Sequence, residues 1–307
     1  MNFWQPAGMI KNSAPWTVAV LGPGGIGGLA AALLARAGHR VICLAREETA
    51  AALNEQGLTL RSGKFGDFTV PVEADTRLRE SVDAVIVAPK ETALRAALDR
   101  VPPHVVGDAL LMPLLNGVEH PAVLRERYPA QQVVPGTIRA ESTRTAPGVI
   151  EHATPFARVE VASDTAPHAR VEALAYVLDA AGFATTLCHS ERSMLWGKLS
   201  MLLPLALLTT RYEVPIGGVR DAHRSELLAV LEEFKQVADG IGAEVDTDAV
   251  LAFLDEAPEG MRSSMQRDAA AGRPLEVDAI GGALLREAAR QGVDVPVTAK
   301  LVAALGG

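Results

Sequence analysis

Short apolar runs alternating with longer segments of helical period dominate the first half of the chain. Residues 18–21, 41–44, 84–88 and 109–115 are such runs, bounded by polar or turn-forming residues, and each reads as a buried strand. Between them an Ala/Leu-rich segment after residue 24, then residues 48–55, 91–99 and 118–127, carry helical spacing. Strands alternating with helices in this way predict a mostly parallel sheet covered on both faces. Residues 58–61 and 68–72 read as two further strands joined by a turn-rich SGKFGD, and 132–137 is strand-like. From 139 to 161 the pattern becomes alternating and rich in Thr and Val, which predicts antiparallel strands appended to the parallel sheet. A helix over 171–181 and a last strand over 184–187 follow. Beyond residue 190 strand signals nearly vanish, and 192–210, 225–240, 247–254, 263–271 and 277–291 are all helix-like.

The first strand runs directly into Gly22, Pro23, Gly24, Gly25, Ile26 and Gly27, in which Gly22, Gly24 and Gly27 have the G-x-G-x-x-G spacing. Strand, glycine turn, helix, closing Gly38 and second strand arrive in the order of a dinucleotide-binding βαβ unit. Gly22 permits the tight turn, Gly24 lets the backbone approach a pyrophosphate, and Gly27 lets helix pack closely on strand. The pyrophosphate meets the unpaired N–H groups and positive dipole end of the helix. The fold class that follows is α/β: an N-terminal Rossmann-type, doubly wound sheet with appended antiparallel strands, plus an all-α C-terminal domain. The expected division is an extension over residues 1–15, a cofactor domain over 16–187, and a helical substrate and catalytic domain over 188–307.

Composition narrows the setting. With 307 residues, two domains are expected. A net charge of −8 and the absence of a long basic run argue against nucleic acid or an anionic membrane as partner. Cys43 and Cys188 are the whole cysteine complement, and Cys43 falls in a core strand. A reducing cytoplasm is therefore the expected compartment. The apolar stretch 201–208 is too short to span a bilayer and contains Pro204. The first sixteen residues lack the apolar core of a secretory signal and read as a flexible extension. The apolar helical domain could support a homodimer, although such stripes more often face a core.

In open parallel sheets, ligands bind beyond the carboxyl ends of the strands. Arg46, Lys90 and Asn116 each follow an apolar strand and so share that edge with the glycine loop. Any one of them could be a solvated loop residue. Arg46 stands where NAD enzymes usually carry an acid for the ribose 2′-hydroxyl, and an arginine there suits the 2′-phosphate of NADP. Glu47 and Glu48 next to it pull the other way. In the helical half, Lys198 is the one charge in an otherwise apolar segment. Such a lysine commonly snorkels to the surface, whereas partial burial would ready it as a proton donor. Ser264 and Asp268 are i,i+4 neighbours, and Glu276 opens the next helix; spacing alone reads these as a capped helix pair.

Taken in order, GPGGIGG, Lys90 after AVIVAP, LLNGVE with Asn116, LWGKL with Lys198, SSMQRD and LEVDAIGG resemble the ketopantoate reductases (2-dehydropantoate 2-reductases) from about residue 17 to the C-terminus. The resemblance implies a Rossmann domain holding NADPH, a helical domain that closes the substrate cleft, a small 2-oxo acid as substrate, and a step in pantothenate biosynthesis. It makes Lys198 the catalytic lysine and Asn116 the asparagine that contacts cofactor and substrate. Ser264 becomes a substrate ligand, Glu276 the acid beside the nicotinamide, Lys90 a lysine near the cofactor, and Arg46 the 2′-phosphate ligand. No metal is implied.

The chain departs from the family at Leu202, Ala206 and Ile216, where members acting on ketopantoate usually carry asparagines that bind substrate polar groups. Residues 198, 202 and 206 share one helix face, so the surface presented to substrate beside Lys198 is expected to be apolar. An unpaired substrate hydroxyl there would cost about 1–3 kcal/mol. The leading expectation is NADPH-dependent reduction of ketopantoate or a less polar 2-oxo acid. Two others stand beside it: an NADP-dependent dehydrogenase of another hydroxy acid, and a non-catalytic NADP-binding sensor.

Overall fold

The computed structural model describes residues 14–307, so all of the expected N-terminal extension but Ala14 and Pro15 lies outside the described residues. Two compact units divide the chain. One takes the residues through Leu115 together with His120–Glu191; the other takes Asn116–Glu119 and Arg192–Gly307. Sequence reading placed the division at 187/188, whereas the contacts divide at 191/192 and give the tetrapeptide Asn116–Glu119 to the helical unit.

The first unit is built on five parallel strands in the spatial order Glu73–Asp75, Arg40–Leu44, Thr17–Leu21, Ala84–Val87, Leu110–Pro113. Successive side chains point to opposite faces of a strand. Val18 and Val20 thus bury against Leu29 and Leu33 of helix Gly25–Arg36, while Ala19 and Leu21 bury against Leu94, Leu98 and Val106 on the other face. Both faces are covered, which is why these strands read as continuous apolar runs. Strand Glu73–Asp75 was absent from the sequence reading. It is a three-residue edge strand with two acidic residues, and pairing to Arg40–Leu44, not apolar burial, defines it.

The strands expected to extend this sheet form two sheets of their own. One has the order Phe68–Val70, Leu58–Ser62, Val149–His152, Ser142–Ala146; the other Ala184–Leu187, Arg158–Val161, Gly136–Arg139. The antiparallel pairs are present, but each is completed by a parallel partner, 149–152 with 58–62 and 158–161 with 184–187. Their alternation buries one face only. Leu58, Leu60 and Ile150 pack in one core with helix Gly25–Arg36, so the first of these sheets covers that helix, while Val159 and Val161 of the second share that core with Val171, Leu174 and Leu178 of helix His168–Ala180. Within the first of these sheets the buried His152 ring bonds Ser62 through Nδ1 (2.9 Å), and burial holds its pKa below the usual value. The expected strand 132–137 is divided. Residues 130–132 form a 3-10 turn, Val133 bridges Leu111, and pairing resumes at Gly136, after Pro135.

The second unit is helical. Glu191–Tyr212 is its longest helix; Pro204 sits inside it without ending it. Arg224–Gly240, Thr247–Glu256 and Ser264–Ala270 follow, the last two capped by Asp246 and Ser263 accepting from the N–H groups of Ala249 and Gln266. The expected helix 277–291 is a π-helical turn, Asp278–Gly282, leading into Ala283–Gln291. Two short helices behind prolines, Ile216–Ala222 and Pro296–Ala304, were not anticipated. The second of these is capped from a distance: the buried Glu233 carboxylate accepts from the N–H groups of Val297 (2.7 Å) and Thr298 (2.8 Å). Among the described residues, Glu191–Tyr212 alone is long and apolar enough to cross a bilayer, and most of that stretch is buried in the protein.

Candidate active site

At the switch point of the five-stranded sheet, the backbone register carries the loops out together. Gly22 N–H bonds Leu44 O, Ala88 N–H bonds Leu21 O, and Leu114 N–H bonds Val87 O. Gly22 has φ +81°, and a Cβ there would sit 3.0 Å from Pro89 N, so turn and neighbouring loop both require glycine. A Cβ on Gly27 would lie 2.2 Å from Gly22 O, which is the close approach of helix to turn. Gly24 differs: no heavy atom lies within 4 Å of its Cβ position. That open space lies at a helix N-terminus, where backbone N–H groups can meet an anion. Gly25 has a packing role, since its Cβ would meet Ser142 O at 2.0 Å, and Ser142 Oγ donates to Gly25 O (2.9 Å). Pro23 is buried and Ile26 packs on the core beneath.

Arg46 follows the second strand, exposed, as the residue before helix Glu47–Gln56. Lys90 is exposed before the 3-10 turn Glu91–Ala93. The first unit thus carries the glycine loop, Arg46 and Lys90 at the carboxyl edge of its five-stranded sheet.

The second unit gathers the others. Asn116 Nδ2 donates to Glu276 Oε2 at 2.9 Å, joining residues 160 positions apart. Glu276 is buried and Asn116 half-buried. Between Asn116 and Glu119 the chain turns through Gly117 (φ +84°), whose Cβ would meet Ala279 O at 2.5 Å. Lys198 is half-buried in helix Glu191–Tyr212, and Ser264 is exposed at the start of its helix. Ser263, next to it, is the cap: its Oγ accepts from Gln266 N–H and lies 2.9 Å from Thr209 Oγ1. Asp268 is buried and pairs with Arg273 at 2.8 Å. Leu202 and Ala206 were expected to line the substrate. Ala206 and Ile216 are 0% exposed within the helical core, so they act through packing, and Leu202 keeps 9%.

Sequence reading missed the ion cluster beside Asn116. Arg286 donates to Glu119 through Nε (3.0 Å) and Nη2 (2.6 Å), and to Asp278 through Nη1 (2.6 Å). Glu119, then Asp278, raise the Arg286 pKa above its usual value. No local signal joins residues 119 and 286. Among the described residues, no group of three or more His, Cys, Asp or Glu is placed to hold a metal ion.

Residues 18–163 match the family described as ketopantoate reductase PanE/ApbA, and residues 192–307 match the C-terminal part of the same family. The chain belongs to the ketopantoate reductase family. It is accordingly an oxidoreductase. Among its relatives, the 2-dehydropantoate 2-reductase of Halobacterium salinarum is 29% identical, over 91% of this chain and 94% of that protein. The Mycobacterium tuberculosis 2-dehydropantoate 2-reductase is also 29% identical, over 93% and 95%. The ketopantoate reductase fold extends over nearly the whole chain. The solved 2-dehydropantoate 2-reductase of Geobacter metallireducens superposes with a TM-score of 0.87 at 27% identity, covering 94% of this chain and 99% of that one. D-mandelate dehydrogenase, in a structure with NADH and anilino(oxo)acetate, shares the fold at a TM-score of 0.85 and 20% identity, over 94% and 97%.

Proposed function

We propose that the protein reduces a 2-oxo acid to the 2-hydroxy acid with NADPH, Lys198 supplying the proton. The observation that carries this reading is the hydrogen bond between Asn116 and Glu276, in a family whose members reduce ketopantoate. The dinucleotide, when bound, supplies the hydride. The chain's own groups do the rest. Hydride addition leaves negative charge on the former carbonyl oxygen; the Lys198 ammonium stabilises that charge and gives the oxygen its proton. Glu276 accepts from Asn116 Nδ2, which fixes the amide's orientation and leaves Oδ1 and the second N–H to contact ligand. Ser264, exposed, is a substrate hydroxyl donor, and Lys90 and the N–H groups at residues 24–27 meet the phosphates.

Ketopantoate itself is one candidate. Leu202, apolar and one turn beyond Lys198, keeps 9% exposure and favours a 2-oxo acid with fewer polar groups. The shared fold of D-mandelate dehydrogenase leaves room for the second reading, a dehydrogenase of another hydroxy acid, because fold does not choose substrate. A panel of 2-oxo acids, followed by loss of NADPH absorbance, tests the reading; ketopantoate and branched or aromatic 2-oxo acids are expected to turn over. If NADPH binds and no member of the panel reacts, the protein is a sensor. The cytoplasm suits this enzyme, both Cys43 and Cys188 being free thiols.

NADP preference rests on Arg46. Arg46→Ala is expected to weaken NADPH binding roughly 10-fold, the loss of one charge-assisted hydrogen bond, and to leave NADH binding nearly unchanged. Equal effects on the two cofactors, measured by fluorescence titration, would assign Arg46 no part in choosing between them.

A further inference from the structure

We infer that Arg286 is a positioning residue for the reaction: it fastens the Asn116 turn to the Glu276 segment and so holds the Asn116 amide in its productive orientation. The inference rests on the proposed reductase reading for its kinetic consequence, and on geometry for the rest. Two segments distant in sequence must meet for Asn116 to reach Glu276. One is the turn Asn116–Glu119, the other the stretch from Glu276 into the π-helical turn Asp278–Gly282. Arg286 grips both. Its Nε and Nη2 fork the Glu119 carboxylate at 3.0 and 2.6 Å, three residues from Asn116. Its Nη1 meets Asp278 Oδ1 at 2.6 Å, and its Nη2 meets Asp278 O at 3.2 Å, two residues from Glu276.

A planar guanidinium can span two carboxylates in fixed geometry, which a lysine ammonium cannot do. The turn it fastens is Asn116–Glu119. It is four residues long, it contains a glycine at φ +84°, and its one apolar side chain, Val118, is only partly buried on the helical core. The π-helical turn is the counterpart on the other side. It widens the backbone just after Glu276 and brings Ala279 O against Gly117, where a side chain would clash at 2.5 Å. π-turns inside helices are common at functional sites, and here the widening makes the seat for the turn.

The test uses the full-length protein. Arg286→Gln is expected to lower kcat for 2-oxo acid reduction roughly 10- to 100-fold, as for a misplaced catalytic group, with KM and dinucleotide Kd little changed. Glu119→Gln should give a similar loss, the double variant no further loss, and Arg286→Lys only partial recovery. Independently of activity, the Asn116 side-chain amide, assigned by its disappearance in Asn116→Asp, is expected to give a dispersed, slowly exchanging NMR pair in the native protein. In Arg286→Gln that pair should move toward the free-amide position and exchange faster. Should Arg286→Gln fail to fold, Glu119→Gln decides by the same two readouts. An unchanged amide signature in a folded variant, or additive losses in the double variant, overturns the inference. If the native protein reduces no 2-oxo acid while the amide responds as expected, the reductase reading fails and the positioning role stands.

Discussion

Lys198→Ala is expected to lower kcat about 10²- to 10⁴-fold, the usual span for removing a positioned general acid, and to leave NADPH affinity where it was. The two halves of that expectation come from different parts of the molecule. The groups proposed to hold the dinucleotide phosphates belong to the first unit, whereas Lys198 belongs to the helical one. Truncating a half-buried lysine on a helix whose neighbours Leu195, Leu199 and Leu202 are core residues leaves the packing nearly intact. The loss should therefore fall on the chemical step. Lys198→Arg keeps the charge but not the proton-donating ability, since guanidinium does not give up its proton near neutral pH. It should recover only a little. Stopped-flow measurement of single-turnover hydride transfer, beside equilibrium titration with NADPH, separates the terms; native turnover in Lys198→Ala would remove the lysine from the mechanism.

The second large effect comes from two glycines three positions apart. Gly27→Ala forces a methyl to within 2.2 Å of a backbone oxygen, and overpacking of that kind costs about 1–3 kcal/mol. Its melting temperature should drop, and NADPH affinity with it. Gly24→Ala meets nothing within 4 Å, so its stability should stay within about 0.5 kcal/mol of the native protein. Its dinucleotide Kd should nevertheless rise more than about 10-fold, because the methyl stands where backbone approaches pyrophosphate. Thermal melts and binding titrations on the same two variants make the comparison. Native affinity in Gly24→Ala would mean that the loop does not cradle a phosphate.

Much of the first unit can be read from the chain alone because its order is local. A strand buried on both faces is an apolar run, and the glycine loop encodes its own turn. Strand Glu73–Asp75 escaped because an edge strand needs no apolar residues, and the two small sheets were misplaced because alternation reveals that one face is buried, not which neighbour buries it. The candidate site divides along the same line. Gly22, Arg46 and Lys90 follow strand ends and announce their position. The meeting of Asn116 with Glu276, and of Glu119 with Arg286, depends on contacts across 160 and 167 positions that no periodicity records. Leu202, Ala206 and Ile216 show the limit from the other side. Their apolar character was legible, but full burial of Ala206 and Ile216 appears only once the helices have packed.

The tetrapeptide Asn116–Glu119 lies within the sequence of the first unit yet belongs with the helical one. A chimaera made by joining residues 1–191 of one family member to the helical half of another would therefore not exchange a clean module. It would carry the donor's own Asn116 turn into a foreign setting, with Glu119 facing whatever residue the new partner has in place of Arg286. A single crossover at 191/192 separates Glu119 from its own Arg286, whereas exchanging turn and arginine together keeps that ion pair whole.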